Sequence, residues 1–165
     1  EEFDALGVPF DGRGRRTDDY VAAMRALWAD DQATHHGEFT SFDDCVMRPQ
    51  PERGAIPVHV GGHSDAAARR AGRLGDGFFP GKGDHAELTR LFDVARAAAA
   101  EAGNDPDDLV LTSGGNGAVG SRALDEVKAL AEMGVDRVVL PSFLFWKDTD
   151  AALERYEAEV ISKAP

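Results

Sequence analysis

The sequence predicts an α/β protein of parallel βα units, in which four short strands alternate with four helices. Three observations carry this. The strand candidates are short, continuously apolar runs, as strands covered on both faces of a parallel sheet are. The turns after helices are short, such as Gly75-Asp76 and Gly134-Val135-Asp136. The turns after strands are rich in Gly, Ser, His and Lys, and chemistry in such folds sits at the carboxyl ends of the strands.

Taken in order, Phe3 to Arg16 is rich in glycine and arginine and reads as a loop. Thr17 opens a helix with Asp18 and Asp19 in its first turn, where carboxylates suit the dipole. Val21, Met24, Leu27 and Trp28 form its inward face. Between Ala33 and Gly54 the pattern breaks down; Gly37 to Phe42 alternates like a short strand or hairpin arm, and Pro49, Pro51 and Gly54 mark an irregular connection.

Ile56–Val60 is the first strand of the regular part, followed by a helix from about Ser64 to Leu74. Gly77–Pro80 is the second. Asp84 and Glu87 then stand at capping-box spacing ahead of a helix from about His85 to Ala102, with Leu88, Leu91, Phe92, Ala95 and Ala99 on its apolar face and Gly103 at its end. Leu109–Thr112 is the third strand, and Ser113 to Gly120 is a glycine-rich loop. Leu124, Val127, Leu130 and Ala131 define the next helix, Arg137–Leu140 the fourth strand, and Leu153, Tyr156 and Val160 the last helix. There is no residue-level repeat. The expected organisation is one domain over 1–165, with a helix and irregular insertion over 1–54 and four βα units over 55–165. Two architectures fit: a small doubly wound sheet, or half of an eight-fold βα barrel, since a full barrel needs about 250 residues.

Composition narrows the function. A chain of 165 residues with 42% apolar content supports a real core. The net charge of −12 argues against nucleic acid and anionic membranes as partners. No apolar run approaches the length of a membrane span, and the start, at Glu1, carries no leader pattern. Cys45 is the only cysteine, so no internal disulfide forms and a cytoplasmic location is expected. No metal site is expected: His35-His36 has no carboxylate at metal spacing. No nucleophile elbow is present.

The most informative stretch runs from Ile56 through Gly61, Gly62, His63 and Ser64 to Gly81. Strand, glycine turn, helix is how an α/β protein builds an anion site, because glycine admits close backbone approach and the first N–H groups of the helix favour negative charge. Ser64 is placed to cap that helix. Gly81-Lys82-Gly83 repeats the theme after the next strand, with an ammonium among turn N–H groups. Arg69, Arg70 and Arg73 follow on the helix, where a solvated outer face is the simpler reading, and Arg13, Arg15 and Arg16 stand near the start. His63 adjoins the glycine pair. His59 lies inside a strand and reads as a satisfied core histidine.

Seven segments in order and at matching spacing resemble the luciferase-like monooxygenase superfamily, and within it the oxidoreductases that use the deazaflavin coenzyme F420. They are Glu2–Gly7, Arg13–Tyr20, Met24–Trp28, His36–Phe39, Pro49–Pro51, Ile56–Ser64 and Arg70–Phe78. The resemblance implies a TIM (β/α)8 barrel of which this chain is the carboxyl-terminal half. It implies cofactor contacts at Gly61 and Gly62 after the fifth barrel strand, beside which His63 and Ser64 are read as further cofactor contacts from their position, and a phosphate held by Gly81, Lys82 and Gly83 after the sixth. The family's acid/base groups come from the other half, so no catalytic residue carries over. The implied cofactor is F420, with FMN the alternative, and the implied reaction is hydride transfer to or from a small organic substrate. A reading of another class is a catalytically silent half-barrel that binds phosphate or dimerises. Half a barrel leaves strand edges uncovered, so self-association into a homo-oligomer is expected.

Overall fold

A computed structural model of the chain describes residues 2–115 and 117–165; Asn116 of the predicted glycine-rich loop lies outside the described residues. The chain divides into two compact units, Glu1–Pro57 and Val58–Pro165.

The first unit holds α1 (Glu2–Ala5), α2 (Arg13–Ala29) and an antiparallel hairpin of β1 (Ala33–His36) and β2 (Ser41–Cys45). The expected loop over Phe3–Arg16 is thus helical at both ends. Thr17 is not the cap: its hydroxyl donates to Arg13 O at 2.9 Å, a bond inside a helix that already began after Gly12, whose φ of 75° marks the turn. Arg15 pairs with Glu38, Arg16 donates to Pro9 O at 3.0 Å, and Arg13 stacks over Phe10 at 3.9 Å, so these arginines fasten the first unit. The alternating stretch from Gly37 is mostly the hairpin turn, with its strands on either side. Asp19 is the reason. Its Oδ1 accepts from His35 Nε2 at 2.7 Å, and its Oδ2 accepts from Phe39 N and Thr40 N at 2.7 and 3.0 Å. Burial alone would raise the Asp19 pKa, but the His35 bond and the two backbone donors outweigh it and hold the carboxyl below its ordinary value. A Cβ on Gly37 would run into the Asp19 carboxylate.

The second unit is a four-stranded, all-parallel sheet in the order β3 (His59–Gly61), β4 (Gly77–Phe79), β5 (Val110–Gly114), β6 (Arg137–Val139). Between them run α3 (Asp65–Leu74), α4 (His85–Glu101) and α5 (Ala123–Glu132), and α6 (Thr149–Glu159) follows β6. The βα alternation is as expected from the sequence. The first strand is shorter than expected: Pro57 has no N–H to give a ladder, and pairing starts only at His59. Alternation then turns Val60, Phe78, Leu111 and Val138 toward a core built with Ala67, Ala68, Ala71, Leu88, Leu91, Phe92 and Ala95. His59 takes the opposite face and is exposed, which corrects its reading as a core residue.

Small residues set the helix spacing. A Cβ on Gly72 of α3 would strike the α4 backbone at Ala95 and Ala99, so the two helices pack almost backbone to backbone. The sheet also carries a repeat that no residue pattern announces. Val58 N donates to Asp76 Oδ2 at 2.7 Å and Asp76 N returns a bond to Val58 O at 2.8 Å. Leu111 N and Asp136 do the same at 2.7 and 2.9 Å. An aspartate just ahead of β4 and of β6 thus fixes the register of each strand on its neighbour.

Candidate functional site

In a parallel sheet all strands end on one side, and here the chain runs into glycine-containing turns after β3, β4 and β5. The ladder pairs Gly61 with Phe79, and Gly62 N donates to Phe79 O at 3.2 Å. A Cβ on Gly81 would lie 3.7 Å from His63 Nδ1. The Gly61–Ser64 and Gly81–Gly83 turns therefore adjoin on one rim. Gly114 ends β5 on the same side, and Gly115 N donates to Val139 O at 3.0 Å beside it.

The turns differ in what they offer. Gly62 adopts φ 129°, a conformation that suits glycine, and a Cβ there would press on Ala67 at 2.9 Å. Its N–H is spent on Phe79 O, so the glycine pair contributes close approach more than a donor at that position. Ser64 caps α3, its Oγ accepting from Ala67 N at 3.3 Å. Asp84 caps α4, its Oδ1 accepting from Glu87 N at 2.9 Å. The reciprocal half of the expected capping box is missing, because Glu87 instead takes a two-pronged bond from Arg90 at 2.8 and 2.9 Å. Both helix starts carry carboxylates, Asp65 in the first turn of α3 and Asp84 with Glu87 at α4, although the cap of α3 itself, Ser64, is neutral.

Lys82 is exposed and forms no ion pair with a described residue. It borders a cavity of about 200 Å³ with Gly81, Gly83, Ser113, Gly114 and Gly117. The cavity runs toward β5 and is not lined by Gly61–Ser64, so the two expected clusters share a rim but not a chamber. His85 and Glu126 also line it, joined at 2.9 Å. The sequence does not signal this pair: His85 reads as a helix start, and Glu126 is 41 residues further on.

Arg69 stands 4.0 Å from Asp65 on the outer face of α3. His35 and His36 do find carboxylates, Asp19 and Asp43, each as a single pair brought in by folding. Among the described residues no three His, Cys, Asp or Glu side chains gather as a metal site, and no helix is long and apolar enough to cross a membrane.

Comparison with known proteins fits this geometry. The luciferase-like monooxygenase family profile matches residues 1–164. The chain belongs to that family. An uncharacterised protein of Mycobacterium tuberculosis is 38% identical over 141 residues, 85% of this chain and 46% of that protein. The F420-dependent glucose-6-phosphate dehydrogenase of Mycolicibacterium gilvum is 34% identical over 102 residues, and the FMNH2-dependent dimethylsulfone monooxygenase of Pseudomonas putida 33% over 107, each match covering 30% of the relative. The chain thus spans about half or less of the length of these relatives. Among solved structures, the coenzyme F420-dependent tetrahydromethanopterin reductase from Methanopyrus kandleri superposes with TM-score 0.79 at 13% identity, over 99% of this chain and 71% of that one. An F420-dependent secondary alcohol dehydrogenase bound to an F420-acetone adduct gives 0.75 at 16%, over 93% and 62%. These likenesses establish the fold, the parallel βα units of a luciferase-like TIM barrel.

Two observations bear on whether a phosphate-tailed cofactor fits the rim. A Cβ at Gly114 would meet nothing within 4 Å, and one at Gly61 only Phe79 O at 4.0 Å, so there is open space above the ends of β3 and β5. On β5, Thr112 Oγ1 is buried and lacks a hydrogen-bond partner. Small residues, an available ammonium and a neutral helix cap suit an anionic tail.

Proposed function

We propose that the chain is the cofactor-binding, carboxyl-terminal half of an F420-dependent oxidoreductase. The adjoining Gly61–Ser64 and Gly81–Gly83 turns on one rim are the observation that supports this reading. Gly61 and Gly62 admit the cofactor close to the backbone, the start of α3 beyond Ser64 faces its anionic part, His63 offers a ring nitrogen, and Lys82 supplies the neutralising charge. When bound, the deazaflavin supplies hydride chemistry, and the part played by this chain is to hold and orient it. FMN is the alternative, since curated relatives at nearly equal identity have names of both kinds.

The substrate of the whole enzyme is a small organic molecule, and the protein is cytoplasmic and self-associating. The acid/base residues lie outside these 165 positions, so the isolated chain is expected to be inactive.

Thermal unfolding in the presence of each cofactor tests the assignment. F420 should raise the midpoint in a concentration-dependent way and FMN should not. Lys82→Ala should weaken F420 binding about fivefold, as for one partly exposed charge pair worth about 1 kcal/mol. Protection by neither cofactor at millimolar concentration would end this reading.

A further inference from the structure

We infer that Glu126 selects by charge at the chamber beside Lys82, admitting the phosphate of a diester, with one negative charge, and turning away that of a monoester, with two. This rests on the reading of the rim as a phosphate site and names what sets its choice. The chamber, of about 200 Å³, lies between two consecutive βα units, walled by the turns after β4 and β5 and by α4 and α5. Among its described lining residues Lys82 and Glu126 carry opposite charges, and His85 is the remaining titratable group. Ser113, in the same lining, is 1% exposed. Its hydroxyl donates to Gly114 O at 3.4 Å, a bond weak enough to be exchanged for one to a phosphate oxygen.

Glu126 is held from two sides. His85 Nε2 donates to its Oε1 at 2.9 Å, and a Cβ on Gly117 would fall 3.1 Å from its Cδ, so the carboxylate lies against the Gly117 backbone. Its side chain is 28% exposed, which leaves its charge less screened than that of a surface residue. The other charges nearby are engaged elsewhere. Asp84, next to Gly83, turns its carboxylate to Glu87 N as the cap of α4. Beyond the His85–Glu126 pair, Arg122 and Asp125 line an adjoining cavity of about 590 Å³ with opposite signs. With His85 neutral, the chamber therefore carries no net charge. The cost of taking an ion out of water rises with the square of its charge, about fourfold from one unit to two, and a balanced chamber offsets little of it. A singly charged phosphate is thus the better occupant, and selection comes from the repulsive member of the pair. FMN ends in a phosphate monoester, whereas F420 carries its phosphate as a diester link, so Glu126 favours F420.

Methyl phosphate and dimethyl phosphate, titrated at pH 8 into the 165-residue chain and followed at the amide resonances of Lys82, Gly83, Ser113 and Gly114, provide the test. At that pH the monoester is doubly charged. Dimethyl phosphate should bind the more tightly. Glu126→Gln should tighten methyl phosphate about tenfold and dimethyl phosphate about threefold, because one unit of repulsion removed counts twice for the dianion. Glu126→Asp keeps the charge and should keep the preference. Equal tightening of the two esters, or none, overturns the inference, as does a preference that Glu126→Asp also abolishes. Lys82→Ala separates this result from the phosphate reading. If it weakens both esters, that reading stands whatever Glu126 does; if it changes neither, the phosphate reading and this inference fall together.

Discussion

The two βα pairs of the second unit share one sheet yet differ in how far burial has gone. In the first pair, α3 and α4 meet at Gly72 and bury Ala67, Ala68, Ala71, Leu88, Leu91, Phe92, Ala95, Ala98 and Ala99. In the second, α5 buries Ala123 and Leu130 and α6 buries nothing. The difference does not lie in apolar content, since Phe143, Leu144, Trp146, Leu153 and Ile161 are all there and all exposed. It lies in neighbours. A helix on a barrel packs against the sheet and against the helices beside it; α3 and α4 have each other, whereas α6 follows the outermost strand. Apolar sequence without an adjacent element becomes surface.

Substitutions can break this contrast. Phe92→Ala empties a fully buried site that packs edge-on to Phe78 at 6.2 Å, and it should cost about 3–5 kcal/mol in urea unfolding. Leu153→Ala, half-exposed on α6, should change stability by less than about 0.5 kcal/mol. Equal costs would mean that α6 is packed as firmly as α4. Gly72→Val comes next: the side chain meets Ala99 N at 2.6 Å, so α3 and α4 must part, at a cost of about 1–3 kcal/mol. Tyr156→Phe removes the bond from the phenol to Ala118 O at 2.9 Å. That bond ties α6 to the loop after β5, and its loss should cost about 0.5–1.5 kcal/mol.

Much of the first pair was legible in the sequence. Ser64 and Asp84 are caps because their side chains accept from the third residue onward, a local relation that spacing reveals. The apolar face of α4 was legible for the same reason. What escaped depends on residues far apart. Asp19 reads as a first-turn carboxylate, and only folding brings it His35, Phe39 and Thr40. Glu87 matches a capping box until Arg90 outcompetes the backbone for it. At the rim, the glycine turns were legible as turns, but the chamber beside Lys82 borrows Ser113, Gly114 and Glu126 from the next βα unit. Strand ends were misjudged where a proline lacks a donor, as at Pro57.

The smallest expected effect concerns charge. Arg90 bridges the two helices of the first pair, donating to Glu87 on its own helix and to Asp65 of α3 at 2.8 Å. Its hydrogen bonds lower both carboxyl pKa values, from ordinary values of 3.8 for Asp65 and 4.5 for Glu87, and the same bonds raise that of Arg90, Glu87 contributing most. A carboxyl lowered in the folded state stabilises above its ordinary value and loses that contribution as pH falls through the folded one. The bridge should therefore help from neutrality down to about pH 4 and fade below it. All three side chains are more than 40% exposed, so solvent screening keeps the effect small. Arg90→Ala should lower urea stability slightly at pH 7, and the deficit should shrink as pH falls below about 4 and the two carboxyls protonate. A deficit that persists in acid would assign the role to packing of the arginine stem between α3 and α4, and the first pair would then owe its firmness to contact alone.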